Sequence, residues 1–185
     1  LWPVRETRRK GGRTFSTALR LMEEYPEYKF GASQPQLFEW VKEDYPALYQ
    51  EVKDAVAAEK FELQGAMWVE PDMNITGGES LVRQCLYGKN FYSEEFGKDV
   101  RNLWLPDVFG YSAALPQILK KAGVDIFMTQ KISWNEMNTF PHHTFMWEGI
   151  DGTEILTHFL PTNNYNLETR PEQLAAAQKR FAQSD

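Results

Sequence analysis

Asp107 stands where a carboxylate can do chemistry. The apolar run Leu103-Trp104-Leu105-Pro106 ends in it, Val108-Phe109 and the turn Gly110-Tyr111-Ser112 follow, and Ala113-Ala114-Leu115-Pro116-Gln117 opens a helix. Parallel α/β proteins present acids to ligands at the carboxyl ends of their strands, and this pattern puts Asp107 there. Trp68-Val69-Glu70-Pro71-Asp72 repeats the arrangement, with an apolar stretch leading into two carboxylates on a loop. If both stretches are strands of one parallel sheet, Glu70, Asp72 and Asp107 converge on the same side. Converging carboxylates suit glycoside hydrolysis, in which one attacks or steadies an oxocarbenium-like carbon and another handles the proton. They suit a divalent metal equally. Asp is also frequent in Asx turns and helix caps, so a structural use of Asp72 and Asp107 stays open at this point.

Other chemistries find less support. The histidines are His142, His143 and His158, and no His-x-x-x-His spacing is present, so the chain does not spell out a complete zinc site. Adjacent His142 and His143 on a strand point to opposite faces, and His158 inside an alternating strand reads as structural. Ser112 lacks the Gly-x-Ser-x-Gly elbow of a serine hydrolase. There is neither a Gly-x-Gly-x-x-Gly fingerprint nor a P-loop. Cys85, the single cysteine, excludes an internal disulfide and sits in a helix-like context that reads as a buried thiol.

At 185 residues the chain has one domain's worth of length, and 42% hydrophobic with 25% charged residues is ordinary for a globular protein. Net charge of −6 argues against a nucleic-acid surface, which needs a basic patch. Arg5, Arg8, Arg9, Lys10 and Arg13 form the one basic cluster, and with Glu6 among them they read as a solvated helix face. Six Trp, eight Tyr and twelve Phe make 14% aromatics, which fits either ring-stacking sites or a large core. No apolar run has the length of a membrane span, so no membrane partner is expected.

The elements that must position these residues follow from periodicity and punctuation. A helix is expected over about Val4 to Tyr25, ending before Pro26 and weakened at Gly11-Gly12. Tyr28–Ser33 reads as a strand, and Pro35 and Pro46 each fit the first turn of a helix. On the second of these helices Leu48, Val52 and Val56 form one stripe. Phe61–Val69 reads as a strand and Glu79–Phe91 as a helix. Asn102–Pro106 is a strand and Leu115–Ala122 a helix closed by Gly123, followed by a strand at Asp125–Gln130. Phe145–Trp147 and Ile155–Leu160 flank the turn Gly149-Ile150-Asp151-Gly152 as an antiparallel excursion. After Pro171, Leu174, Ala177 and Phe181 fall on one helix face. Strand and helix thus alternate at least four times, which points to parallel βα units with right-handed crossovers.

At these residues the chain resembles glycoside hydrolase family 38, the retaining, zinc-dependent α-mannosidases. Trp104 to Ser112 with Leu115-Pro116-Gln117-Ile118-Leu119 is similar to that family's nucleophile motif. Met128-Thr129-Gln130-Lys131-Ile132-Ser133-Trp134-Asn135 and Phe140-Pro141-His142-His143-Thr144-Phe145 resemble its next blocks, in the form typical of the bacterial and cytosolic branch. Trp68–Asp72 and the opening Leu1-Trp2-Pro3-Val4-Arg5-Glu6-Thr7 also match, in the expected order. The resemblance implies an α/β fold, an incomplete parallel (β/α) barrel-like domain corresponding to the family's seven-stranded barrel truncated at both ends. Residues 1–185 would be a fragment of the N-terminal catalytic domain.

The same resemblance implies that Asp107 is both catalytic nucleophile and zinc (Zn2+) ligand. Lys131 takes the position of a basic residue near the nucleophile, Tyr165 that of a sugar-contacting tyrosine, and Glu70 and Asp72 match an acidic loop near the site. The implied substrate is an α-mannoside or mannose-containing oligosaccharide, the implied location cytoplasmic, and full-length family members are often oligomeric. The family's first zinc pair, a His-x-Asp, is expected before Leu1, and its acid/base and last zinc histidine beyond Asp185. With one of four zinc ligands, the isolated chain is expected to be inactive and to bind zinc weakly or not at all. Two other readings compete: a non-catalytic carbohydrate-binding or scaffold fragment, and a metal-dependent deacetylase on a related barrel.

Overall fold

A computed structural model describes residues 3–181, which fall into two compact units. The first comprises Leu1–Val69 and Gln84–Val100, the second Glu70–Arg83 and Arg101–Asp185. The fold is α/β, as the alternating pattern predicts.

In the first unit, α1 (Val4–Glu24) buries Phe15, Ala18, Leu19 and Met22, an i, i+3, i+4, i+7 stripe. Tyr25 ends it in an extended conformation, which the following proline favours. Gly11-Gly12 does not weaken this helix. Gly12 is buried, and a Cβ there would come within 2.6 Å of the Tyr45 ring, so the glycine permits a close approach. α2 (Pro35–Asp44) and α3 (Pro46–Ala57) both begin on the expected prolines. The buried stripe of α3 is Tyr49, Val52 and Val56, with Tyr49 taking the place expected of Leu48. Strands β1 (Phe30–Ala32) and β2 (Phe61–Leu63) pair in parallel. At the centre Phe38 is fully buried, with Phe15, Phe61, Tyr92 and Phe96 rings 4.9–5.9 Å away, so many of the aromatics are core. The basic cluster is a paired surface: Arg8 reaches Glu43 at 2.7 Å and Asp44 at 2.6 Å, and Arg9 pairs with Glu6.

The expected strand Phe61–Val69 stops at Leu63. Gly65 turns the chain at φ 68°, and the buried stretch Ala66–Met67 lies against α4 (Gly78–Phe96) at Gly88. A Cβ on Gly88 would stand 2.2 Å from the Ala66 carbonyl oxygen. Trp68 N–H donates to the Gln84 carbonyl and Val69 N–H to Gln84 Oε1, both at 3.0 Å. These groups find partners on a helix, so no sheet ladder forms. Glu70 therefore follows an irregular segment and not a strand end. Cys85, on the same helix, is buried, and burial pushes its thiol up to about 11.

The second unit holds β3 (Asn102–Leu105), β4 (Ile126–Thr129), β5 (Thr144–Glu148) and β6 (Glu154–Phe159) in the order β3-β4-β6-β5. β3, β4 and β6 are mutually parallel, and β5 is an antiparallel edge hairpinned to β6. Between β3 and β4, α5 (Leu115–Lys121) buries Leu115 and Leu119. It ends in a Schellman motif, with Gly123 at φ 73° donating to Lys120 O and Val124 to Leu119 O. On α6 (Pro171–Arg180) Ala177 is the one buried position of the expected face, while Leu174 and Phe181 are exposed. Among the described residues the six strands form two sheets, a parallel pair and a mixed four-stranded sheet, and no closed barrel.

Candidate active site

Parallel strands in register carry equivalent positions side by side. Leu105 of β3 is opposite Thr129 of β4, and Asp107 and Lys131 each lie two residues further on. Their side chains meet there, Lys131 Nζ donating to Asp107 Oδ1 at 2.6 Å. The loop after β6, whose last residue Phe159 is opposite Thr129, brings in Tyr165, and its hydroxyl donates to the same oxygen at 3.4 Å. The expectation that Asp107 sits just past the carboxyl end of a strand is met, and three parallel strand ends supply the cluster.

The exposures decide what this arrangement can do. The Asp107 side chain is 47% exposed, its Lys131 partner only 8%. Asp107 makes no helix cap: α5 has Ala114 as its N-cap, without a side-chain cap bond, and Ser112 Oγ takes the Ala114 N–H at 3.3 Å. A carboxylate held by one oxygen and open to solvent is oriented and accessible at once. The hydrogen bond to Asp107 holds the Lys131 ammonium above the usual lysine range, against the effect of burial. Burial raises the Tyr165 phenol, which Lys131 opposes.

Tyr111 and Thr129, to which the sequence alone assigns no role, lock the strand ends together. Tyr111 Oη donates to Leu105 O at 3.1 Å and shares a short hydrogen bond with Thr129 Oγ1. Thr129 Oγ1 also accepts the Lys131 N–H at 3.1 Å. Burial first, then the negative charges of Glu70 and Asp107 and the Tyr165 phenol, push the Tyr111 phenol up to about 12, although the Thr129 bond opposes this. The signal for Tyr111 was its place in the turn after Asp107; for Thr129 it was a hydroxyl ending an apolar strand.

Glu70 and Asp72 stand differently. Glu70 lies near enough to Tyr111 to act on its charge, as Asp107 does, so the two carboxylates share that neighbour. Asp72 Oδ1 takes the N–H groups of Asn74 at 2.7 Å and Ile75 at 3.2 Å, an Asx turn. That turn aims Asn74 Nδ2 at the Phe109 carbonyl, 2.6 Å away, on the loop that follows Asp107. Asp72 thus shapes the support of the Asp107 loop. Gly110, at φ 127°, has Asn74 where a Cβ would be, at 2.8 Å.

The histidines lie elsewhere in the unit. His158 Nδ1 bonds Thr144 Oγ1 at 2.9 Å across the hairpin, the structural role its alternation suggests. His143 is buried and stacks on Phe181, while His142 lies near Phe140 and Phe145. A cavity of about 140 Å³ lined by Phe140, His142, His143 and Phe159 includes none of Asp107, Lys131 and Tyr165. Among the described residues no group of three or more His, Cys, Asp or Glu side chains is placed to hold a metal ion. The residues present therefore do not fit zinc by themselves. A tetrahedral site needs more donors, and Asp107 already holds an ammonium.

Known proteins match this chain along its length. Alpha-mannosidase 2C1 of Homo sapiens is 50% identical over 174 residues, covering 94% of this chain and 17% of that protein. Alpha-mannosidase G of Dictyostelium discoideum is 48% identical over 174 residues, with 94% and 16% covered. The chain thus spans about a sixth of the length of these relatives. The crystal structure of an alpha-mannosidase from Enterococcus faecalis has the same fold, with a TM-score of 0.76 at 23% identity over 97% of this chain and 21% of that one. The pattern described as the glycosyl hydrolases family 38 N-terminal domain matches residues 1–185, and the chain belongs to that family.

Proposed function

We propose that this chain is part of the N-terminal catalytic domain of a retaining glycoside hydrolase that cleaves α-mannosides, with Asp107 as its nucleophile. The observation that carries this reading is the Asp107 carboxylate itself. It lies past the end of β3, half exposed, with Oδ1 fixed by Lys131. In the reaction a carboxylate oxygen attacks the anomeric carbon, the bond to the leaving oxygen breaks, and that oxygen takes a proton from a general acid. Water then opens the glycosyl ester and returns the carboxylate, so the configuration is retained. Lys131 holds the carboxylate in its aim, and Tyr165 steadies the same oxygen. The close relatives' name, alpha-mannosidase, supports a mannoside as substrate. The fold's likeness to an alpha-mannosidase supports a barrel-like domain completed outside the described residues. No helix among the described residues is long and apolar enough to cross a membrane, and a cytoplasmic location belongs to the same proposal.

Zinc, as the resemblance implies it, would take Asp107 as one ligand, orient the sugar and offset charge. Its other donors must come from groups other than the described residues.

The test is Asp107→Ala in the full-length protein that carries this chain, assayed on an aryl α-mannoside. Turnover should fall by at least about a thousandfold. A fluorinated mannoside that stalls the ester should label the peptide holding Asp107. Near-normal turnover without labelling at Asp107 refutes the assignment of Asp107 as nucleophile.

A further inference from the structure

We propose that Trp134 is a positioning residue for the candidate active site, gripping the Lys131 ammonium on its indole face so that the lysine stays on Asp107. The inference rests on the reading of Asp107 as nucleophile and goes past it, to the residue that holds the nucleophile's partner.

Lys131 and Trp134 are the first and last residues of one 3₁₀ turn, Lys131–Trp134. In such a turn residues i and i+3 eclipse, so the two side chains lie over one another. Lys131 Nζ stands 3.8 Å from the centroid of the Trp134 ring, well inside the range of a cation–π contact. Phe109 lies 4.0 Å from the same ammonium and Tyr165 5.7 Å. The turn is itself held, Ser133 Oγ donating to the Gln130 carbonyl at 2.9 Å.

Two contrasts point to a working contact. Trp134 is 65% exposed, so packing into the core does not explain a side chain of its size. The lysine it covers is nearly buried, although its carboxylate partner is half exposed. A lysine has four rotatable side-chain bonds, and an unconstrained ammonium beside an exposed carboxylate spends much of its time in water. Tryptophan is the aromatic that attracts a cation most strongly, and it removes that freedom on the side of the ammonium it covers. Trp134 also meets Tyr165, ring centroids 6.1 Å apart at 71°. One exposed indole therefore touches both side chains that bond Asp107 Oδ1.

The substitutions to compare in the full-length protein are Trp134→Phe, which keeps a π face, and Trp134→Leu, which keeps apolar bulk without one. Because Trp134 is largely exposed, both should fold with little change in Tm. Trp134→Leu should lower kcat about three- to tenfold with KM within about twofold, and Trp134→Phe should restore most of the loss. A second readout needs no turnover. The rate of reductive methylation of Lys131 by formaldehyde with cyanoborohydride as hydride donor, followed by mass spectrometry, should rise severalfold in Trp134→Leu and stay near wild type in Trp134→Phe. Unchanged methylation in Trp134→Leu overturns the grip. A raised KM with unchanged kcat overturns it too, because the indole then touches the sugar directly. Faster methylation with unchanged kinetics overturns the positioning role, because turnover then does not need the grip; the reading of Asp107 as nucleophile is tested separately by Asp107→Ala.

Discussion

Lys131 reaches Asp107 because two strands are in register and each side chain lies two residues past a paired position. Leu105 faces Thr129, and the next-but-one residues make the 2.6 Å ion pair. Tyr111 and Thr129 bind the strand ends below it, so the pair rests on the sheet itself and not on a free loop. Sites built on strand ends hold their geometry more closely than sites on loops alone. The carboxylate is steered from the protein side and left open on the other.

Replacing the cation should therefore cost turnover more than binding. Lys131→Met removes the charge-assisted bond and leaves Asp107 with the longer Tyr165 contact. In the full-length protein kcat should fall about ten- to a hundredfold, with Lys131→Arg retaining more of it. Steady-state kinetics on an aryl α-mannoside checks this, and an unchanged kcat shows that the pair does not serve the reaction.

Gly88 is a sharper test of the fold. Its missing Cβ is where the Ala66 carbonyl passes, 2.2 Å away, and backbone cannot yield as a flexible side chain can. Gly88→Ala should destabilise the first unit by about 3 kcal/mol, read as a lowered midpoint in chemical denaturation. Gly12→Ala should cost less, since the atoms it meets belong to the exposed ring of Tyr45, which can turn aside.

Gly88 also shows what the sequence leaves unread. Prolines 35, 46 and 171 and Gly123 announced helix ends because their backbone chemistry is local. The segment Gly65–Val69 reads as strand from its sequence because a buried strand and a buried irregular segment have the same apolar composition. What separates them is where the N–H groups go, here to Gln84, 16 residues on from Trp68 in the chain. The site divides in the same way. Asp107 was legible from the apolar run before it and Lys131 from the family resemblance, whereas their bond depends on the pairing of β3 with β4. Trp134 lies inside the motif Met128–Asn135, yet its contact with Lys131 needs the 3₁₀ turn, which no apolar period marks.

His158 gives a pH prediction whose sign can be worked out. Burial, helped by the charge of His143, holds its imidazole below the usual 6.5, so the fold prefers the neutral ring. The unfolded chain then binds the extra proton first. The stabilisation is fully present above about pH 6.5 and is lost as pH falls through the lower folded value. His158→Gln keeps a partner for Thr144 Oγ1 but cannot take up a proton, so its stability should depend less steeply on pH between 7.5 and 5. Denaturation midpoints across that range decide it, and parallel curves for the two proteins would remove His158 as a source of acid sensitivity.

Zinc tests how much of the site the described residues contain. Asp107 is one oxygen donor, its Oδ1 already engaged by an ammonium, and a second cation there gains nothing until other ligands share the load. No group of three metal-binding side chains stands among the described residues to provide them. The purified 185-residue chain, with its fold first checked by circular dichroism, should show no tight one-to-one zinc binding by calorimetry. It should also show no hydrolysis of an aryl α-mannoside, with or without added zinc. The full-length protein should bind about one zinc per site, and Asp107→Ala should weaken that binding at least tenfold. Tight stoichiometric zinc on the isolated chain, abolished by Asp107→Ala, would mean that this unit carries a ligand set its geometry does not display.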